Sequence, residues 1–134
     1  MSVKLSPGVR RLFEAPNFAH LATLMPDGSP QVTAVWVDID GNRILVNTAE
    51  GRVKPRNVRR DPRVAISVTN KDNNYQAAFI RGRVVKITSE GADESIDKLA
   101  KKYIGQDRYP WRQPGEKRVL LVMEPEHVSS MLTD

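Results

Sequence analysis

The sequence predicts a mostly β domain: a barrel of six or seven short antiparallel strands with helical covers. Three observations carry that prediction. β-branched and aromatic runs recur along the chain, tight-turn signals separate them, and only two or three stretches show helical periodicity.

Taken in order, Ser6 and Pro7 cap and open a short amphipathic helix over residues 6–14, with Val9, Leu12 and Phe13 at helical spacing. Residues 18–25 read as a strand, and Pro26-Asp27-Gly28 turns the chain. A second strand spans 31–38. Asp40-Gly41-Asn42 turns it into a third at 43–48, so the three form a meander. Pro55 suits the first turn of a short helix that Pro62 stops, since proline disfavours the helical region for its predecessor. Strands follow at 63–69 and, after a polar loop at 70–74, at 75–88, where Gly82 marks a bend or bulge. Residues 92–103 form a helix with acids early and lysines late, as the macrodipole favours. A loop over 104–115 carries Tyr109, Pro110 and Trp111, and a last strand at 118–124 ends at Pro125. With no repeat, linker or low-complexity tract, residues 1–134 read as one domain.

Composition narrows the function. There is no cysteine and only two well-separated histidines, His20 and His127, so disulfides, thiolate chemistry and a zinc site are not expected. His20, inside an apolar strand, reads as a core residue. No apolar run is long enough for a spanning helix, and no signal-peptide stretch opens the chain; a cytoplasmic protein without membrane contact is the expectation.

Charge is far more informative. Arg52, Lys54, Arg56, Arg59, Arg60 and Arg63 face a single acid, Asp61, a local balance of +5. The whole chain also carries +5, so the remainder is neutral. One concentrated cationic element suits one anion held in one place. Composition alone fits a solvated basic face as readily. Placement favours phosphate: the segment begins where a strand ends and opens a helix, whose unpaired N–H groups attract anions, and Arg52 and Lys54 stand beside that start. The later arginines fall at helical offsets, a stripe available to a longer anion. Nucleic acid is disfavoured despite a pI near 9.7, because no aromatic lies between Trp36 and Tyr75.

Neither a nucleophile elbow, a Walker loop nor a dinucleotide fingerprint is present, so in an enzyme the cofactor would carry the chemistry. Tyr75, Tyr109 and Trp111 read as ordinary packing one by one. Clustered in a polar loop, Tyr109 and Trp111 point to a ligand or a partner.

Two runs resemble a known family. Leu21-Ala22-Thr23-Leu24-Met25-Pro26-Asp27-Gly28-Ser29-Pro30-Gln31-Val32 is similar to the opening hairpin of the pyridoxamine 5′-phosphate oxidase-like split β-barrel proteins, the FMN-binding split barrel fold. The segment from Asn47 to Val64, with Lys54-Pro55-Arg56-Asn57-Val58-Arg59-Arg60-Asp61-Pro62-Arg63 at its centre, resembles the phosphate-binding segment of the branch that uses the deazaflavin coenzyme F420. The ending Arg118 to Val122, with Pro125 and Val128, also fits that branch. The resemblance covers roughly residues 10–130.

It implies a homodimer with cofactor at the subunit interface. Arg52 and Lys54 would bind the cofactor phosphate with Asn57 nearby. Gln31, Thr33, Asn47, Thr48 and Ala49 would border the planar ring, and Tyr75 and Ala77 would reach it from the partner subunit. At Ala34 the chain departs from relatives that carry a polar residue. F420 bears a phosphodiester and a glutamate tail, so six cations match it better than they match the single phosphate of FMN. The implied activity is hydride transfer from reduced F420 to a small electron-poor organic substrate. An FMN-binding oxidoreductase and a non-catalytic F420 carrier are the alternatives. The proton donor, solvent or Tyr109, stays open.

Overall fold

A computed structural model describes residues 2–132. Helix α1 spans Pro7–Glu14, followed by strands β1 (Ala19–Leu24), β2 (Pro30–Val35), β3 (Val37–Asp40) and β4 (Arg43–Ala49). Then come α2 (Val53–Arg60), β5 (Arg63–Asn70), β6 (Asn73–Thr88), α3 (Ala92–Ile104) and β7 (Arg118–Met131). The seven strands make one antiparallel sheet in the order β2-β1-β5-β6-β7-β4-β3. It curls into the split half-barrel expected from the sequence.

The expected second strand is divided. Its first half, β2, pairs with β1, and its second half, β3, pairs with β4. These are the two opposite edges of the sheet, and the single residue Trp36 joins them. A straight meander is impossible with this pairing; the sheet must roll until its edges meet at that residue.

The last strand also departs from expectation. Pro125 does not end β7, which continues to Met131. Proline lacks a ladder N–H, but here it faces a register shift between Arg81 and Gly82 on β6. A Cβ at Gly82 would collide with the Glu124 carbonyl oxygen, so only glycine permits this approach. The polar loop after β5 shrinks to a two-residue turn, because Asn70 and Asn73 pair. Helix α2 starts at Val53, one step after Arg52, and so takes Lys54 into its first turn.

Alternation sorts the faces. Ala19 and Leu21 on β1, Ile44 and Val46 on β4, Ile66 and Val68 on β5, and Ile80 on β6 point inward, with Leu121 and Met123 of β7. Helix α1 plugs this core with Val9, Leu12 and a fully buried Phe13. Burying such a phenyl ring contributes roughly 2–3 kcal/mol. Ser6 caps the helix by accepting from the Val9 amide at 3.2 Å. The outer face of β2-β1-β5-β6 carries Val32, Ala22, Ala65 and Arg81 in one row and Ala34, His20, Ser67 and Phe79 in the next. His20 is therefore an exposed residue of the outer face, not a core histidine, because its neighbours Ala19 and Leu21 take the inward positions.

Helix α3 covers the barrel beside β4 and β7. Its C-terminal residues Lys102 and Tyr103 grip the seam. Lys102 Nζ donates to the carbonyls of Phe13 at 2.5 Å and Val37 at 2.7 Å. The Tyr103 hydroxyl donates to the Asn17 carbonyl at 2.6 Å and accepts from the Val37 amide at 3.1 Å. Its ring stacks on Trp36 with centroids 5.3 Å apart. Burial pushes the phenol up to about 12, which keeps it a neutral donor. No helix among the described residues is long and apolar enough to cross a membrane.

Candidate functional site: a cationic cavity at the start of helix α2

Strand β4 runs out at Ala49, the chain turns through Gly51 at φ 87°, and α2 begins. No acid occupies the first turn and Arg52, the cap, makes no side-chain bond to the helix. The first amides of α2 are thus left to an external acceptor, apart from Pro55, which has none. Beside them opens a cavity of about 210 Å³ lined by Thr48, Arg52, Lys54 and Arg118 on one side and by Trp36, Tyr109 and Trp111 on the other.

Its cations are anchored from behind. Lys54 Nζ lies 3.4 Å from Thr33 Oγ1 on β2. Burial, reinforced by Arg52 and Arg118, holds the Lys54 ammonium below the ordinary lysine range. An incoming anion would reverse that disfavour. Arg118, at the first position of β7, is 3% exposed and forms an ion pair with Glu116 at 2.9 Å. Its Nε donates to Asn47 Oδ1 at 2.8 Å, and its guanidinium lies 5.2 Å from the Tyr109 ring centre. Glu116 also stands 3.5 Å from Arg52. Arg52 and Arg118 share one carboxylate and Lys54 stands beside them, so the cavity keeps a net positive charge.

Thr48 adds the sharpest signal. Its hydroxyl is buried and has no hydrogen-bond partner among the described residues. An orphaned buried hydroxyl costs roughly 1–3 kcal/mol and calls for an explanation. Beside three cations and a helix start, an anionic oxygen supplies one.

The residues expected at the site divide into groups. Thr48, Arg52 and Lys54 line the cavity, and Thr33 lies behind Lys54. Asn47 lies there too, but its amide is engaged: Nδ2 donates to the Ala92 carbonyl at 2.8 Å and to Ser95 at 3.2 Å. It braces Arg118 and α3. Ala49 is buried and does not line the cavity. Asn57 is buried and turned inward, donating to Thr23 Oγ1 at 2.9 Å and accepting from Arg60 at 2.6 Å. Thr23 in turn lies 3.5 Å from Gln31, so Gln31 and Asn57 belong to one internal network. Tyr75, 85% exposed, and the buried Ala77 sit on the first half of β6 and do not line the cavity of their own subunit.

The arginine stripe is largely spent inside the chain. Arg59 forms a two-pronged pair with Glu50 at 2.7 Å, which holds that carboxyl below its usual range. Arg60 reaches the Leu24 carbonyl at 2.9 Å, and Arg63 pairs with Asp61 at 2.7 Å. Arg56 stays exposed. The surplus positive charge between Arg52 and Arg63 is therefore structural at three positions, two on α2 and one at the start of β5.

Trp36, Arg118 and Glu116 were not singled out from the sequence. Glu116 and Arg118 leave only a charged pair two residues apart at a strand start. A larger cavity, about 430 Å³, opens near Asn17 and Gln76 at the other side of α1, but the described residues bring no cluster of unopposed cations there. No group of three or more potential metal ligands occurs among the described residues.

Fold and site together define a split-barrel protein with an anion cradle at a β-to-α junction, the class of oxidoreductase-like proteins that hold flavin-type cofactors. A family model for pyridoxamine 5′-phosphate oxidase matches residues 5–132, and the chain belongs to that family. Among solved structures it is similar to an F420 reductase at 35% identity, covering 93% of this chain and 98% of that one with a TM-score of 0.81. It also matches the conserved hypothetical protein Rv2991 from Mycobacterium tuberculosis at 24% identity, 97% and 86% coverage and a TM-score of 0.71. A putative pyridoxamine 5′-phosphate oxidase from Listeria innocua, at 19% identity, 90% and 93% coverage and a TM-score of 0.66, shares the fold.

Proposed function

We propose that this protein is an F420-dependent reductase acting on a small electron-poor organic molecule. The observation that carries the reading is the cradle itself: Arg52, Lys54 and Arg118 around the unpartnered Thr48 hydroxyl. A phosphoryl oxygen there would accept from Thr48 and from the first amides of α2 while Arg52 and Lys54 neutralise its charge. When bound, the deazaflavin supplies a hydride. The chain's own task is to fix the cofactor, keep Arg118 in place through Glu116 and Asn47, and shield the cavity with the aromatic loop. Orientation of two bound reactants can remove about 7–11 kcal/mol of barrier without a catalytic side chain.

The choice of F420 over FMN rests on the likeness to an F420 reductase. Charge counting favours it less than composition suggests, because Arg59, Arg60 and Arg63 are engaged within the chain. That same observation favours a second reading, FMN, whose single phosphate the remaining cations would satisfy.

A two-fold dimer belongs to the proposal. The outer face of β2-β1-β5-β6 carries small residues flanked by Val32, 63% exposed, and Phe79, a surface suited to a second copy. Tyr75 and Ala77 would then reach the partner's cavity, and a cytoplasmic, reduced-cofactor environment suits the assembly. Light scattering should give twice the chain mass, and Val32→Arg should give monomers with weakened cofactor binding.

The deciding experiment is equilibrium titration with F420, by deazaflavin fluorescence, and with FMN, on wild type and Lys54→Ala. F420 should bind more tightly than FMN, and Lys54→Ala should weaken it at least about tenfold, the worth of one charge-assisted contact. Equal affinities, or indifference to Lys54→Ala, would defeat the reading.

A further inference from the structure

Both histidines of the chain, His20 and His127, stand exposed on the outer face of the sheet. In one row across the strands, Ala65, Arg81 and His127 lie side by side; in the next, His20 neighbours Ser67, with Phe79 beyond. Arg81 lies directly opposite His127. It also lines two hollows on this face, one of about 320 Å³ shared with His20 and one of about 360 Å³ shared with His127. Neither row contains an acid. In the row beyond, Arg63 and Arg83 face each other, and each is already paired, with Asp61 at 2.7 Å and with Glu126 at 3.2 Å. The neighbours that β1, β2 and β5 otherwise set beside the histidines are uncharged. Arg81, His20 and His127 have no hydrogen-bond or ion-pair partner among the described residues. Like charges set opposite one another across a ladder repel, so Arg81 and His127 are compatible only while the imidazole is neutral.

We propose that this face is a pH-gated interface between two copies of the chain, which pair at neutral pH and part on mild acidification, when His20 and His127 take up protons beside Arg81. It rests on the dimer reading above and adds its regulation. An imidazole ordinarily changes charge near about pH 6.5. On the two rows each copy carries one cation, Arg81, above that pH, and three, Arg81, His20 and His127, below it. A two-fold axis brings both sets onto one surface, with no acid on these rows to offset them. Covering a charged imidazole also costs more than covering a neutral one. The separated copies therefore bind more protons than the pair does. By linkage, association is strongest above the imidazole range and weakens as pH falls through it. On the same reading Tyr75 and Ala77 reach the partner's cavity, so acid would open both cofactor sites at once.

Sedimentation velocity on the full chain at about pH 7.5 and about pH 5.5, either side of the imidazole range, tests it, with far-UV circular dichroism at both. Wild type should be dimeric at the higher pH. At the lower pH its dimer dissociation constant should rise at least about tenfold while its dichroism is unchanged. The double variant His20→Gln/His127→Gln keeps polar side chains that take up no proton, and it should dimerise equally well at both pH values. Arg81→Gln supplies an independent reading: each imidazolium then meets one charge fewer, so the acid response should shrink. A wild-type dimer equally strong at both pH values overturns the gate and leaves the dimer reading standing. A wild-type monomer at the higher pH overturns the dimer reading and the gate with it. Acid dissociation that the double variant shares, that Arg81→Gln leaves undiminished, or that comes with loss of dichroism also overturns the proposal.

Discussion

Lys102 reaches across the barrel mouth to the carbonyl of Val37, the first residue beyond the seam, at 2.7 Å. Burial pushes its ammonium down to about 8 from an ordinary 10.5. Between those two pH values the unfolded chain holds a proton that the folded chain has released. Stability therefore rises as pH increases from about 8 towards 10.5 and is insensitive to this group below 8. Lys54, also held down by burial, adds a slope of the same sign. Urea unfolding at pH 7 and pH 10 should show that rise in wild type and a smaller one in Lys102→Met.

Thr48→Val should separate stability from binding. Removing a buried hydroxyl that lacks a partner stabilises the cofactor-free chain by about 1 kcal/mol in chemical denaturation. The same change should weaken F420 binding several-fold, since a phosphoryl oxygen loses its donor. A variant that is destabilised and binds normally would mean that the hydroxyl serves the fold.

The arginines of α2 should not behave alike. Arg59 is paired with Glu50 on the surface, so Arg59→Ala should change stability by less than about 1 kcal/mol and leave cofactor affinity within about twofold. Arg56 is exposed, and Arg56→Ala should weaken F420, with its anionic tail, while sparing FMN. That difference should shrink in high salt. Titrations of both variants at two ionic strengths read it directly.

Gly82→Ala drives a methyl group into the backbone of Glu124, where no flexible side chain can yield. A loss of about 1–3 kcal/mol is expected, seen as a lowered denaturation midpoint. Gly28→Ala, at φ 86° in a turn with open space around it, should instead act only through its backbone conformation.

Much of this was legible in the sequence because local chemistry decided it. Ser6 and Pro7, Gly28, Pro62 and the β-branched run of β5 each fix their own neighbourhood. The cradle was legible for the same reason, since a strand end, Arg52, Lys54 and a helix start lie within a few residues. What escaped depends on distant partners. The break at Trp36 follows from which edges the two half-strands find. The passage of β7 through Pro125 depends on Gly82, far away in the chain. Arg118 and Glu116 acquire meaning only once β7 lies beside β4. Asn57 looked like a ligand, yet Thr23 and Arg60, unrelated in sequence pattern, consume its amide.

The joint at Trp36 has a topological consequence. Both rims of the sheet are successive stretches of chain joined by the single residue Trp36, so neither can be displaced without dragging the other. A circular permutant opened at that position would retain all seven strands while unbuttoning the cylinder along its whole length, and with it the cavity in which the Arg118 guanidinium meets the Tyr109 ring.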